Sequence, residues 1–245
     1  MTAEVALLAP GECHVWWARA ESDLALLDLL DVEERTRSRG FLREQPRALY
    51  LTAHALTRLV VSAQTGVPPH LLRFVRVCKT CAGPHGKPAL SGSPVPLELS
   101  LSHSGDRVAV ALSRGGAVGV DVERVGERWA ESVDALSPEE RRALDLLPEE
   151  RRAPGFFRYW ARKEAVLKAT GDGLVVNPAT LTLSGAEEPA ALKHWHGRPG
   201  AEDRIAVADL DAGPGYRMAV ARVGDNDNGL RAVQHQVGDV LALRP

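Results

Sequence analysis

A five-residue string, Gly119-Val-Asp-Val-Glu123, constrains this chain more than any other. It follows Gly115 and Gly116 and alternates apolar with polar residues, so it reads as a strand entered from a glycine turn. Residues i and i+2 of a strand point the same way. Asp121 and Glu123 therefore present two carboxylates from one face while Val120 and Val122 go to the other. Forty residues on, Phe156 to Thr170 contains neither proline nor glycine and predicts a helix. There Trp160, Glu164 and Lys168 recur at i, i+4 and i+8 on one face. Three carboxylates and two or three cations can thus converge, an all-oxygen set that suits a hard dication such as Mg²⁺ better than zinc, with cations beside it for phosphate. Taken alone, Asp121 and Glu123 make a solvated strand edge, and Glu164 with Lys168 an ordinary surface pair worth about 0.3–0.5 kcal/mol.

The upstream residues narrow that choice. Leu97 to Gly105 alternates and ends in Ser102-His103-Ser104, and Arg107 to Leu112 alternates again. Two strands, the glycine turn and the acidic strand predict a meander whose ends gather Ser102, His103, Asp121 and Glu123. Earlier comes Gly86-Lys87-Pro88, where glycine lets backbone approach a ligand and lysine supplies a point charge.

In this order, Gly-Lys-Pro, Ser-Leu-Ser-His-Ser, Gly-Val-Asp-Val-Glu and Trp-x-x-Lys-Glu-Ala-x-x-Lys, the chain resembles the 4′-phosphopantetheinyl transferases. The likeness is to the larger, pseudo-dimeric type typified by the activator of surfactin synthetase, and its motifs span residues 83 to 173. The resemblance implies an α+β fold of two similar lobes in a pseudo-twofold arrangement, each an antiparallel sheet packed with a long helix, with the active site between them. The lobes are expected at residues 1–117, holding the 3′-phosphate and adenine of coenzyme A, and 118–245, holding the catalytic motifs. It implies transfer of the phosphopantetheine arm of coenzyme A, the co-substrate, to a serine of an acyl or peptidyl carrier protein of polyketide or nonribosomal peptide synthases. Adenosine 3′,5′-bisphosphate is released. Asp121, Glu123 and Glu164 match the metal positions, for Mg²⁺ with Mn²⁺ as the alternative. Glu164, directly or through a water, matches the general base, and Lys168 the group at the leaving phosphate. Arg39, Arg47, Gly86, Lys87, Pro88, Ser102, His103 and Lys163 complete the expected coenzyme contacts, His103 also among the catalytic residues.

Other features were weighed beside these. Pro46 suits the first turn of a helix running from Arg47 to about Gln64 and stopped at Gly66. Ser137-Pro-Glu-Glu140 has the spacing of a capping box. Arg107-Val-Ala-Val-Ala-Leu112 and Arg217-Met-Ala-Val-Ala-Arg222 are near copies and hint at internal duplication. Leu181, Ile205–Leu210 and Tyr216–Val223 are further strand candidates, and residues 185–203 and 224–229 are expected as loops. Cys78, Cys81 and His85 outline half a zinc site, but no second Cys-x-x-Cys exists, so reduced thiols in a hairpin loop are expected. With three cysteines, no long apolar run and no basic-then-apolar start, the chain reads as cytoplasmic, without a membrane partner. A net charge of −2 offers nothing for nucleic acid. A monomer is expected, with a carrier dock at Gly171–Leu174 or Pro138–Pro154. The competing classes are a Mg²⁺-dependent phosphoanhydride hydrolase and a non-catalytic regulator that binds coenzyme A or a carrier.

Overall fold

Strand β1 (Cys13–Arg19) begins a mixed helical and antiparallel chain whose computed structural model describes residues 5–76, 83, 86–93, 95–224 and 230–244. It divides into two compact units, residues 1–115 with 233–245, and residues 116–232. Cys78, Cys81 and His85 lie outside the described residues.

In the first unit β1 is followed by α1 (Val32–Arg39), α2 (Glu44–Thr65), the hairpin β2 (Phe74–Arg76) with β3 (Pro88–Leu90), then β4 (Glu98–Ser104) and β5 (Arg107–Ser113). The second unit runs β6 (Val118–Arg124), α3 (Pro138–Asp145), α4 (Glu149–Thr170), the hairpin β7 (Leu181–Leu183) with β8 (Leu192–Trp195), then β9 (Ile205–Leu210) and β10 (Tyr216–Val223). A last strand, β11 (Ala232–Val237), pairs beside β1. Its Val237 and the following Val240 and Leu243 enter the core of the first unit, so the carboxy-terminal residues do not stay with the acidic strand that precedes them.

The two units repeat one plan. Each sheet places its last strand centrally, in the orders β1-β5-β4 and β6-β10-β9, with β11 added at the outer edge of the first. The near copies singled out in the sequence are these central strands: Ala109 faces Trp17 across β5–β1, and Ala219 faces Asp121 across β10–β6. Both long helices have 22 residues and end on a left-handed glycine, Gly66 and Gly171, where a side chain at positive φ would be strained. The short helices before them carry full capping boxes, Asp31 with Glu34 and Ser137 with Glu140.

Buried charge holds each long helix in place. Arg58 of α2 is fully buried and donates to Glu34 at 2.6 Å, Asp31 at 2.5 Å and the carbonyls of Pro69 and Leu72. Arg162 of α4 is equally buried and grips Asp209 together with the carbonyls of Ser184, Gly185 and Glu188. Acceptors of this kind offset the cost of taking a guanidinium charge out of water.

Three expectations are corrected. The meander does not form: both edges of β5 are taken by β1 and β4, so β6 has no edge there and pairs with β10. Helix α4 starts at Glu149, seven residues before Phe156, and passes Pro154 and Gly155. Gly155 is buried against Leu147 and Leu144, whose Cδ1 methyls would stand 2.9 Å and 3.0 Å from a Cβ there. Residues 185–203 are not wholly loop, because Leu192–Trp195 pairs with β7 as β8. Residues 225–229 of the other expected loop lie outside the described residues.

Replacing Arg58 with Met strands Asp31 and Glu34 without their guanidinium. Urea denaturation should then show a loss of roughly 3 kcal/mol or more, and an unchanged midpoint would deny Arg58 this role.

Candidate active site

The second unit brings together Asp121, Glu123, Glu164 and Lys168, and a glycine makes it possible. A Cβ on Gly119 would lie 2.0 Å from the carbonyl oxygen of Ala165 and 2.3 Å from the amide of Ala169. Helix α4 thus rests directly on the backbone of β6. From Trp160 to Lys168 the helix advances about 12 Å, while Asp121 and Glu123 stand about 6.6 Å apart on the strand, so the long side chains at the two ends of this helix face reach inward to the carboxylates. Accordingly Trp160 Nε1 donates to Glu123 Oε1 at 3.3 Å, and Lys168 Nζ donates to Asp121 Oδ1 at 2.6 Å. Glu164 lies between them on the same helix face.

The electrostatics follow from that crowding. Burial pushes the Glu164 carboxyl up to about 7; the Asp121 and Glu123 charges push the same way, and Lys168 pulls back. Glu164 Oε1 is buried with no hydrogen-bond partner among the described residues. Asp121 is buried and Lys168 partly exposed. Three carboxylates against one ammonium leave net negative charge in a poorly solvated place. An all-oxygen donor set with an orphaned oxygen fits a hard dication such as Mg²⁺. Among the described residues, however, no three His, Cys, Asp or Glu side chains stand as a ready metal cluster.

Lys163 is not beside this group. Its Nζ is fully buried and bonds Glu140 at 2.7 Å, Pro178 O at 2.9 Å and Leu181 O at 2.5 Å. Burial lowers its pKa, and Glu140 acts against that shift. A coenzyme contact there conflicts with a side chain whose three protons are already accepted.

The remaining expected residues belong to the first unit. Gly86, Lys87 and Pro88 lead into β3, with Lys87 Nζ 3.1 Å from Glu98 Oε2. Ser102 is buried and His103 exposed near the end of β4. Arg39 is exposed at the end of α1. Arg47 lies in α2 and lines a cavity of about 350 Å³ with Phe41, Leu42 and Arg43. A different cavity of about 240 Å³ collects Arg37, Arg76, Tyr50 and His54 with Asp31, Glu33 and Glu34. The Tyr50 and His54 rings lie 4.1 Å apart, tilted by 32°, and His54 Nδ1 meets Glu34 Oε1 at 2.7 Å. Burial, opposed by His54 and Arg58, leaves the Glu34 carboxyl lowered to about 2. Arg37 is not among the expected coenzyme contacts, because which arginine of α1 faces the cavity depends on helical phase, and the sequence does not define where that helix starts.

The model of the 4′-phosphopantetheinyl transferase superfamily matches residues 117–221, nearly the whole second unit. The slr0495 protein of Synechocystis sp., named for the same transferase, is 31% identical over 213 residues, covering 79% of each chain. The 4′-phosphopantetheinyl transferase HetI of Nostoc sp. is 29% identical over 197 residues, covering 76% of this chain and 80% of that one. Among solved structures, holo-[acyl-carrier-protein] synthase of Thermotoga maritima is 22% identical with a TM-score of 0.38, over 44% of this chain and 63% of that one. The chain belongs to the 4′-phosphopantetheinyl transferase superfamily. Its activity is the transfer of phosphopantetheine to carrier proteins.

Two outcomes test the geometry. A carboxyl raised in the folded state binds a proton that the unfolded chain releases, so its contribution to stability is lost as pH rises from 4.5 towards about 7. In metal-free protein, Glu164→Gln should remove that loss and stabilise the fold at pH 8 by roughly 1–3 kcal/mol relative to wild type. A pH profile of unfolding unaltered by the substitution would contradict the raised pKa. Gly119→Ala should drive α4 off β6 and lower the transfer rate by about 100-fold, since misplacement of roughly 1 Å suffices for that; a fully active variant would refute the contact.

Proposed function

We propose that this chain moves the 4′-phosphopantetheine of coenzyme A onto a carrier-protein serine, with Asp121, Glu123, Glu164 and Lys168 performing the transfer. The observation that carries the assignment is Glu164: a half-buried carboxyl pushed up to about 7, its Oε1 buried and unpartnered among the described residues, between two carboxylates and a lysine. A base poised near neutral pH accepts a proton efficiently. Glu164 takes the proton of the attacking serine hydroxyl. The serine oxygen bonds to the pantetheine-side phosphorus, and the anhydride P–O bond breaks. Lys168 then stabilises the departing phosphate of adenosine 3′,5′-bisphosphate. Such transfers demand little covalent work from the protein, and positioning with charge stabilisation supplies most of the rate.

Asp121, Glu123 and Glu164 would hold Mg²⁺, or Mn²⁺, whose positive charge neutralises the pyrophosphate when bound. In the first unit, Gly86, Lys87, Pro88, Ser102 and His103 are read as further contacts to the coenzyme, with Arg39 and Arg47 kept for its 3′-phosphate. The 240 Å³ cavity adds Arg37 and Arg76 beside the Tyr50 and His54 rings, a set of cations and π faces suited to the nucleotide end. Leu146, 86% exposed beside Arg142, is read as part of the carrier dock, and the carriers as those of polyketide or nonribosomal peptide synthesis.

Mass spectrometry of an apo-carrier incubated with coenzyme A and Mg²⁺ should show a gain of about 340 Da. Chelation, Asp121→Ala and Glu164→Ala should each abolish that gain with the circular dichroism spectrum preserved. No gain across a panel of carriers would sink the proposal, and adenosine bisphosphate released without any carrier would mark a hydrolase instead.

A further inference from the structure

Lys163 directly precedes the proposed base, yet its surroundings are those of a lock. Its ammonium uses all three protons within the protein, on Glu140 and on the carbonyls of Pro178 and Leu181. Glu140 is equally committed. One oxygen accepts from the amide of Ser137 at 2.8 Å, closing the cap of α3, and the other accepts from the amide of Leu183 in β7 at 2.8 Å. One ion pair therefore ties α3, α4, β7 and the turn before β7.

The first unit contains the same lock. Counted from Glu44 and from Glu149, Arg58 and Lys163 both stand at the fifteenth residue of a 22-residue helix. Arg58 bonds Glu34, the capping-box glutamate of the preceding short helix, as Lys163 bonds Glu140. Each cation also takes two carbonyls from a Pro-x-x-Leu turn, Pro69 and Leu72 in one case, Pro178 and Leu181 in the other. The acidic cluster has no such twin. In the same alignment Trp17, Arg19, Leu59 and Ala63 occupy the places of Asp121, Glu123, Glu164 and Lys168. A feature kept by the half that lacks the cluster serves the architecture, and does not depend on coenzyme.

We infer that Lys163 is a positioning residue: it never touches coenzyme A, and it fixes where α4 presents Glu164 and Lys168 to Asp121. The inference deepens the transferase reading above and rests on it for its kinetic test.

Three variants decide it. Lys163→Arg, alone and with Ser137→Asp, installs the cation and capping residue of the first unit's lock and should keep kcat and the KM for coenzyme A within about threefold of wild type. Lys163→Met should cut kcat by about tenfold or more, leave the KM and the calorimetric affinity for coenzyme A within about twofold, and release the protected amides of Glu140 and Leu183 to hydrogen exchange. A tenfold weaker coenzyme A affinity in a folded Lys163→Arg or Lys163→Met protein, with exchange at those amides unchanged, would overturn the inference. If Lys163→Met does not fold, the arginine variants decide. Failure of wild type to modify any carrier would fall on the transferase reading, while calorimetry and exchange still judge the lock.

Discussion

The packing of α4 on β6 at Gly119 is the constraint on which the site depends. With backbone atoms of Ala165 and Ala169 where a Cβ would stand, helix and strand approach more closely than side-chain packing permits. The buried Asp121 carboxylate then lies within reach of the Lys168 ammonium, which meets it at 2.6 Å. Interiors packed to this density shift little, so the carboxylates are held together against their repulsion by contacts made elsewhere in the unit. Arg162 on Asp209 and Lys163 on Glu140 anchor the same helix from its other sides.

Duplication explains how a chain acquires such a site without risking its fold. Both units keep the sheet order, the capped short helix, the 22-residue helix with its glycine stop, and the buried cation. They differ where chemistry is at stake: Val15 faces Ala111 in the first unit where Gly119 faces Ala221 in the second. The first unit thus keeps a side chain at the point where the second brings backbone to backbone. Its helix has Leu59, buried in the core, where α4 has Glu164. One copy stabilises itself with apolar burial, and the other carries the destabilising charge cluster.

Much of this could be read in the sequence. Strand period and helix period alone placed Asp121 with Glu123 and Trp160 with Glu164 and Lys168, and those faces do meet. The repeated Arg-x-Ala-Val-Ala strand pointed to the duplication for a sound reason, since both copies are central strands covered by a helix and small alternating residues are what fits there. Long-range pairing was not readable: nothing local in Gly115-Gly116 says whether the next strand turns back on β5 or starts a new sheet, and only the occupied edges of β5 decide it. The start of α4 was hidden because Pro154 and Gly155 break helices by propensity, while burial of Gly155 against Leu144 and Leu147 overrides that preference. Lys163 was misread for a related reason. Motif adjacency put it with Glu164, but neighbours on a helix are about 100° apart, and that rotation carries it from the cluster into the core.

The carboxylate cluster also bears on how the enzyme is poised. With Lys168 the cation on Asp121, Glu164 is driven towards protonation by its burial and its neighbours. A base in that condition is half neutral near pH 7, and positive charge arriving nearby favours its ionised form. The same two carboxylates that raise Glu164 are those that would share a dication with it. Binding of a cation and readiness of the base are therefore linked through one local field: whatever neutralises Asp121 and Glu123 also lowers the proton affinity of Glu164. A bound dication would relieve the repulsion among Asp121, Glu123 and Glu164, which gives a reason for three acidic groups where the fold alone gains nothing from them.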